Sequence, residues 1–272
     1  MKKLGKFIVI VVLLPLLYLF ISAIVGGMFM AGYSVANEIS LKSIDPSKLQ
    51  SLITPYIYII TLMGDIVMLL LLILFFLPTK ESLLKRCNFK KCSLKKVIYI
   101  SLFVMGFAML NSIFVGLVSD YFSSYRMVSN ALSAANTSII QTIVIVIIIP
   151  IFEEMFFRGV IFSWLKKNFN IVFAIIVQAL IFGIMHGNIL QGVYAFVSGI
   201  IFALINIYTD SLYGNIVAHC LFNLFESVIV PLFLSRINIV VYSVIAIVLC
   251  FIGIVKVVSL KKMDSINIGK SI

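Results

Sequence analysis

Runs of about twenty apolar residues recur along this chain, and at that length a backbone crossing lipid satisfies its own hydrogen bonds by forming helices. The runs lie at about 7–30, 53–77, 98–118, 138–165, 171–187, 189–207, 212–233 and 237–258. Of the 272 residues, 62% are hydrophobic and only 11% are charged. A soluble domain of similar size carries about 25% charged residues. Mean hydropathy is +1.21. No alternation of short strands points to a membrane barrel. The expected fold class is therefore all-α: a polytopic transmembrane helical bundle of about eight spans, forming one membrane-embedded domain over residues 1–272. Asn188-Ile189 hardly separates the fifth run from the sixth, so one continuous bent helix there is the alternative.

The basic residues set an orientation. Lys2, Lys3 and Lys6 precede the first run, which is too long for the apolar core of a signal peptide and is read as a retained first helix. Lys80, Lys85, Arg86, Lys90, Lys91, Lys95 and Lys96 fill one loop; Lys166-Lys167 and the tail lysines Lys256, Lys261, Lys262 and Lys270 form further clusters. The loops around Lys42-Asp45-Lys48 and Asp120-Arg126 are lightly charged. Eight spans with both termini cytoplasmic place every basic cluster inside. The net charge of +11 is thus a topology signal facing anionic lipid, and no nucleic-acid partner is expected. Cys87 and Cys92, in the basic loop, have no metal-spaced partners and read as free thiols; Cys220 and Cys250 read as small apolar residues in helices.

Against this background a few polar residues stand out. Both histidines of the chain, His186 and His219, fall in apolar stretches, and a third such stretch holds Glu153, Glu154 and Arg158. An ionisable group at membrane depth costs about 2.5–3.5 kcal/mol even on the lenient insertion scale. Glu154 and Arg158 are spaced i,i+4 with the acid first, the favourable order for an ion pair. Glu153 sits about 100° around the helix from Glu154 and has no cation at helical spacing, which suits a general base or acid. The pairs Phe182/His186 and His219/Asn223 each share a face by i,i+4 spacing. At about 1.5 Å per residue, Glu154 lies roughly 20 Å before the turn at 167–170, and His186 roughly 24 Å after it. By the same rise, His219 and Asn223 lie roughly 13 Å and 19 Å past the turn at 208–211. Straight helices would bring these positions into one layer, although Pro150 could kink the fourth run.

Taken in order, Glu-Glu-x-x-x-Arg, Phe-x-x-x-His and His-x-x-x-Asn on successive membrane helices resemble the CAAX protease and bacteriocin-processing (CPBP, or Abi) family of intramembrane endopeptidases, which includes the type II CAAX prenyl endopeptidase. The resemblance spans roughly 138–225 and supplies the complete motif core. It implies an intramembrane peptide hydrolase in which Glu153 and His186 position and deprotonate a water. His219 and Asn223 would donate to the tetrahedral oxyanion. Glu154 and Arg158 would orient Glu153 or clamp the helix, and Phe182 would pack beside the histidine. Glu153, His186 and His219 would make a zinc site with an open position. However, His-Glu-x-x-His is absent, and the resemblance favours glutamate-dependent hydrolysis without metal. No cofactor is assigned, and zinc is the alternative.

Short loops rich in Ile and Lys are bacterial in style, which suggests a multi-pass protein of the bacterial cytoplasmic membrane, with membrane lipid and a peptide or protein substrate as partners. The expected roles are maturation of a bacteriocin or signal peptide, or self-immunity. Two other readings compete: a non-catalytic immunity or chaperone-like protein on the same fold, and a transporter with a Glu/His proton relay. The transporter reading would call for paired interrupted helices in two halves, and no inverted repeat is visible.

Overall fold

The computed structural model describes residues 2–39, 45–79, 81–135, 138–233 and 236–269. In chain order its main helices are α1 (Lys3–Ala36), α2 (Ser51–Phe76), α3 (Leu83–Cys87), α4 (Leu94–Tyr121), α5 (Tyr125–Ala135), α6 (Ile139–Asn168), α7 (Ile171–Ile184), α8 (Ile189–Thr209), α9 (Leu212–Phe233) and α10 (Ile239–Leu260), and a short helix over Pro46–Ile53 leads into α2. There is no strand among the described residues. Among the described residues, seven helices (α1, α2, α4, α6, α8, α9 and α10) are long and apolar enough to cross a membrane. The chain is a polytopic helical membrane bundle. Leu70, Val172, Ile247 and Phe251 are among the many large apolar side chains facing outward, as lipid contact requires.

One expected span is not a full crossing. The 171–187 run forms α7, whose 14 residues reach about 21 Å, short of the ~30 Å hydrocarbon core. The chain then reverses at Gly187, whose φ of +66° favours glycine. Asn188 caps the next helix, its side chain accepting from Gln191 N–H. α7 and α8 are therefore an antiparallel hairpin, not one bent helix. The hairpin closes tightly: a Cβ on Gly183 would lie 2.6 Å from the carbonyl oxygen of Gly192.

α6 is the central helix. Phe156, Val160, Ile161, Phe162 and Leu165 have no exposed surface. Just before Pro150 the backbone widens into π-helical turns over Val144–Ile148, and it does so again over Glu154–Phe162. Gly159 in the second wide stretch lies against α3, where a Cβ would come 2.5 Å from Cys87 Sγ. All four cysteines are unpaired.

Basic segments gather at one end of the bundle. Lys167 Nζ bonds Glu81 Oε1 at 3.0 Å, Arg86 pairs with Glu81 at 3.3 Å, and Lys90 Nζ bonds Asp210 Oδ2 at 2.6 Å. Asn88 Nδ2 donates to the Asp210 carbonyl at 2.8 Å, and Ser211 Oγ donates to the Lys90 carbonyl. Phe7 packs on Phe169 at 5.6 Å and Trp164 at 6.2 Å, so the N-terminal end of α1 joins the same end. These partners hold the carboxyls of Glu81 and Asp210 below the usual range, the hydrogen bonds from Lys167 and Lys90 being the main causes. Lys42, Lys80 and Lys270, and the side chains of Lys2, Lys261 and Lys262, on which the sequence-based orientation also leans, lie outside the described residues.

Candidate active site

On α6 the two adjacent glutamates point to different surroundings, as the 100° step between neighbours requires. Glu154 Oε1 accepts from Arg158 Nη1 at 2.9 Å, and both side chains are wholly buried. The guanidinium lies between two rings, 4.7 Å from the centroid of Phe182 and 5.2 Å from that of Phe202. Its Nη2 also reaches the Gly199 carbonyl at 3.4 Å, which Gln178 Nε2 bonds at 2.8 Å. The pair thus ties α6 to the α7–α8 hairpin.

The same Glu154 oxygen lies 2.8 Å from His219 Nδ1. A carboxylate held by a guanidinium accepts, so Nδ1 carries the proton. That tautomer turns Nε2 of His219 toward Glu153, whose Oε2 is 3.4 Å away. The imidazole ring leans on Phe202 at 4.7 Å. A carboxylate–imidazole–carboxylate line therefore runs from the dry side of α6 to its open side, with His219 of α9 in the middle. Sequence spacing places no cation near Glu153; the structure brings His219 there, a neighbour that only tertiary packing supplies.

His186 sits at the tip of the hairpin. Its Nδ1 lies 2.7 Å from the Phe182 carbonyl. A carbonyl only accepts, so Nδ1 is the protonated nitrogen and Nε2 keeps its lone pair. Phe182 packs edge-on to His186 at 4.9 Å and to His219 at 5.9 Å, separating the two imidazoles.

Asn223 has a partner that spacing does not reveal. Ile149 N–H bonds the Val144 carbonyl in the i→i+5 register. Continuing that register, the Ile145 carbonyl would accept from residue 150, which is proline and has no N–H. Asn223 Nδ2 fills the gap, donating to Ile145 O at 2.9 Å. One amide hydrogen of Asn223 is thus used to anchor α9 to α6, and the other remains available.

A cavity of about 280 Å³ joins these groups; Glu153, Phe182, His186, His219 and Asn223 all line it. Glu154 and Arg158 stand behind its wall. The lining also brings in residues that sequence reasoning passed over. Tyr18 of α1 contributes, with its hydroxyl donating to Asp65 Oδ1 of α2 at 2.5 Å. Asp65 is 2% exposed, and its Oδ2 has no hydrogen-bond partner. Glu226, one turn beyond Asn223, lines the far part and accepts from Asn111 Nδ2 of α4 at 3.2 Å. The signal for Asp65 and Glu226 was present: each is an acid inside an apolar run, and such a residue is a functional candidate by default.

The donors proposed for zinc do not form a ligand set. Among the described residues, no three His, Cys, Asp or Glu side chains are placed to hold a metal ion. No step below is routed through a metal.

Comparison with known proteins bears on the same segment. Residues 135–225 match the family described as Rce1-like, type II CAAX prenyl endopeptidase Rce1-like. A Bacillus subtilis (strain 168) protein named "Putative membrane peptidase YdiL" is 33% identical over 92 residues, covering 32% of this chain and 38% of that protein. The chain thus aligns with less than two fifths of the length of this relative. No solved structure matches.

Proposed function

We propose that this chain is an intramembrane endopeptidase that hydrolyses a peptide bond with an activated water. The observation that carries the reading is the Glu154–His219–Glu153 line opening on the cavity that also holds His186. Glu153 and the lone pair of His186 Nε2 bind the water, and Glu153 takes its proton as the oxygen attacks the scissile carbonyl. The proton passes from Glu153 to Nε2 of His219. The resulting imidazolium is held by Glu154, whose charge Arg158 fixes, in the same logic by which a carboxylate orients a catalytic histidine. His219 and the second amide hydrogen of Asn223 then donate to the oxyanion. The departing amine leaves with the proton returned through Glu153. Phe182 holds the two imidazoles apart.

The substrate in this reading is a peptide or membrane-associated protein, and its maturation or a self-immunity role is the physiological setting. A bacterial cytoplasmic membrane with both termini inside fits the gathering of the basic segments at one end. The match to an Rce1-like domain and the Bacillus relative support the reaction class. The test is digestion of a library of apolar peptides by the purified full chain, read by mass spectrometry. New termini should appear with the wild type and be absent with His186→Gln. Equal cleavage by both chains, or none by the wild type, rejects the mechanism and leaves the non-catalytic membrane protein as the reading.

A further inference from the structure

The cavity extends past the hydrolytic residues to Glu226, and this far part has a chemistry of its own. Among the described residues, two carboxylates, Glu153 and Glu226, line the cavity, and no lysine or arginine does. Glu226 is half-buried and receives a hydrogen bond from the neutral amide of Asn111 at 3.2 Å. No salt bridge reaches it among the described residues. Its surroundings are phenolic: Tyr58, Tyr125 and Tyr194 line the same space, with the rings of Tyr125 and Tyr194 edge-on at 6.5 Å. The backbone widens into a π-helical stretch over Phe225–Ile229, at the residue in question, and such bulges are frequent at functional sites.

We infer that Glu226, with Asn111 and the tyrosines, forms a subsite that binds a cationic side chain, lysine or arginine, of the peptide substrate. A carboxylate at membrane depth without a cation is costly, and an incoming ammonium or guanidinium compensates it with a charge-assisted hydrogen bond. Aromatic faces around a desolvated cation add attraction. Glu226 lies seven residues beyond His219, about 10 Å along the helix. An extended peptide covers that distance in about three residues. The cation therefore sits about three positions from the scissile bond. Assigning it to a peptide rests on the hydrolase reading above; the binding itself does not.

The test is calorimetric titration of the full chain in lipid nanodiscs with two probes of one shape, n-hexylguanidinium and neutral n-hexylurea. The cation should bind about ten-fold or more tighter than the urea. The preference should survive in Glu153→Gln and disappear in Glu226→Gln, whose amide keeps the shape and the bond from Asn111. Glu226→Asp keeps the charge and should keep the preference, which holds the test open if the glutamine variant does not fold. Equal binding of the two probes, no binding, a preference that survives Glu226→Gln, or one lost in Glu153→Gln or Glu226→Asp overturns the inference. Failure of the hydrolase reading looks different: no peptide is cut while the cation preference stands.

Discussion

Replacing Asn223 by alanine removes the donor that reaches the Ile145 carbonyl at 2.9 Å, and Pro150 has no N–H to take its place. A buried acceptor left without a partner costs about 1–3 kcal/mol. In a chain of this size 1 kcal/mol moves the melting midpoint by about 2–4 °C, so Asn223→Ala should melt about 2–12 °C below the wild type. Pro150→Ala in the same chain restores an amide at position 150, and that amide can serve the orphaned turn of α6. The double variant should therefore regain most of the lost stability. It should not regain peptide hydrolysis, because the second amide hydrogen of Asn223, the oxyanion donor, is still missing. Thermal unfolding of the purified full chain in one detergent, followed by the emission of Trp164, reads the stability. Trp164 is the chain's single tryptophan and packs on Phe7 and Phe169. If Pro150→Ala changes the midpoint equally with and without Asn223, the two residues do not share that carbonyl and the reasoning fails. Activity returning with the double variant would show that Asn223 acts only as a helix anchor.

Three further outcomes follow from the packing. Glu154→Gln leaves the buried Arg158 guanidinium without its carboxylate and should cost about 3–5 kcal/mol in unfolding measurements; replacing the pair together, Glu154→Leu with Arg158→Met, should recover most of it, and additive losses would refute the pair. Tyr18→Phe removes the donor to Asp65 Oδ1 and should cost about 1–3 kcal/mol, while an unchanged midpoint would show that this bond adds nothing. The third concerns pH. Because Glu81 and Asp210 have folded-state carboxyls below their unfolded range, their contribution is present above that range and is lost as pH falls through the lowered values. The difference in stability between wild type and Glu81→Gln/Asp210→Asn should therefore be constant at neutral pH and vanish in acid. Lys90 and Asp210 are largely exposed and Glu81 partly so, so the difference stays below about 1 kcal/mol and shrinks with salt; a difference that grows in acid contradicts the sign.

Much of the architecture is legible in the apolar runs, since lipid admits few ways to pair a backbone. The exception is α7: apolarity alone does not say where a chain turns back, and the cues that do, Gly187 and the capping Asn188, are two residues long. Motif spacing brings Glu154 to Arg158 and Phe182 to His186 because each pair shares one helix. It does not show that His219 meets both glutamates, which depends on how α9 is rotated against α6. Nor does it show Asn223 on Ile145, which depends on a wide-turn register that only the folded backbone displays. Asp65 and Glu226 were visible as lone acids in apolar runs, but their partners Tyr18 and Asn111 come from helices 47 and 115 residues away.

The account turns on a water attacking the peptide carbonyl with Glu153 as its base. A single turnover in ¹⁸O-water, with excess full-length chain over a cleavable library peptide, tests this directly. One heavy oxygen should appear in the new C-terminal carboxylate of the product and none in Glu153, and Glu153→Gln should give no product. Label in the Glu153 side chain, or product from Glu153→Gln, would contradict the claim: the first shows the glutamate attacking the carbonyl itself, the second shows that another group activates the water.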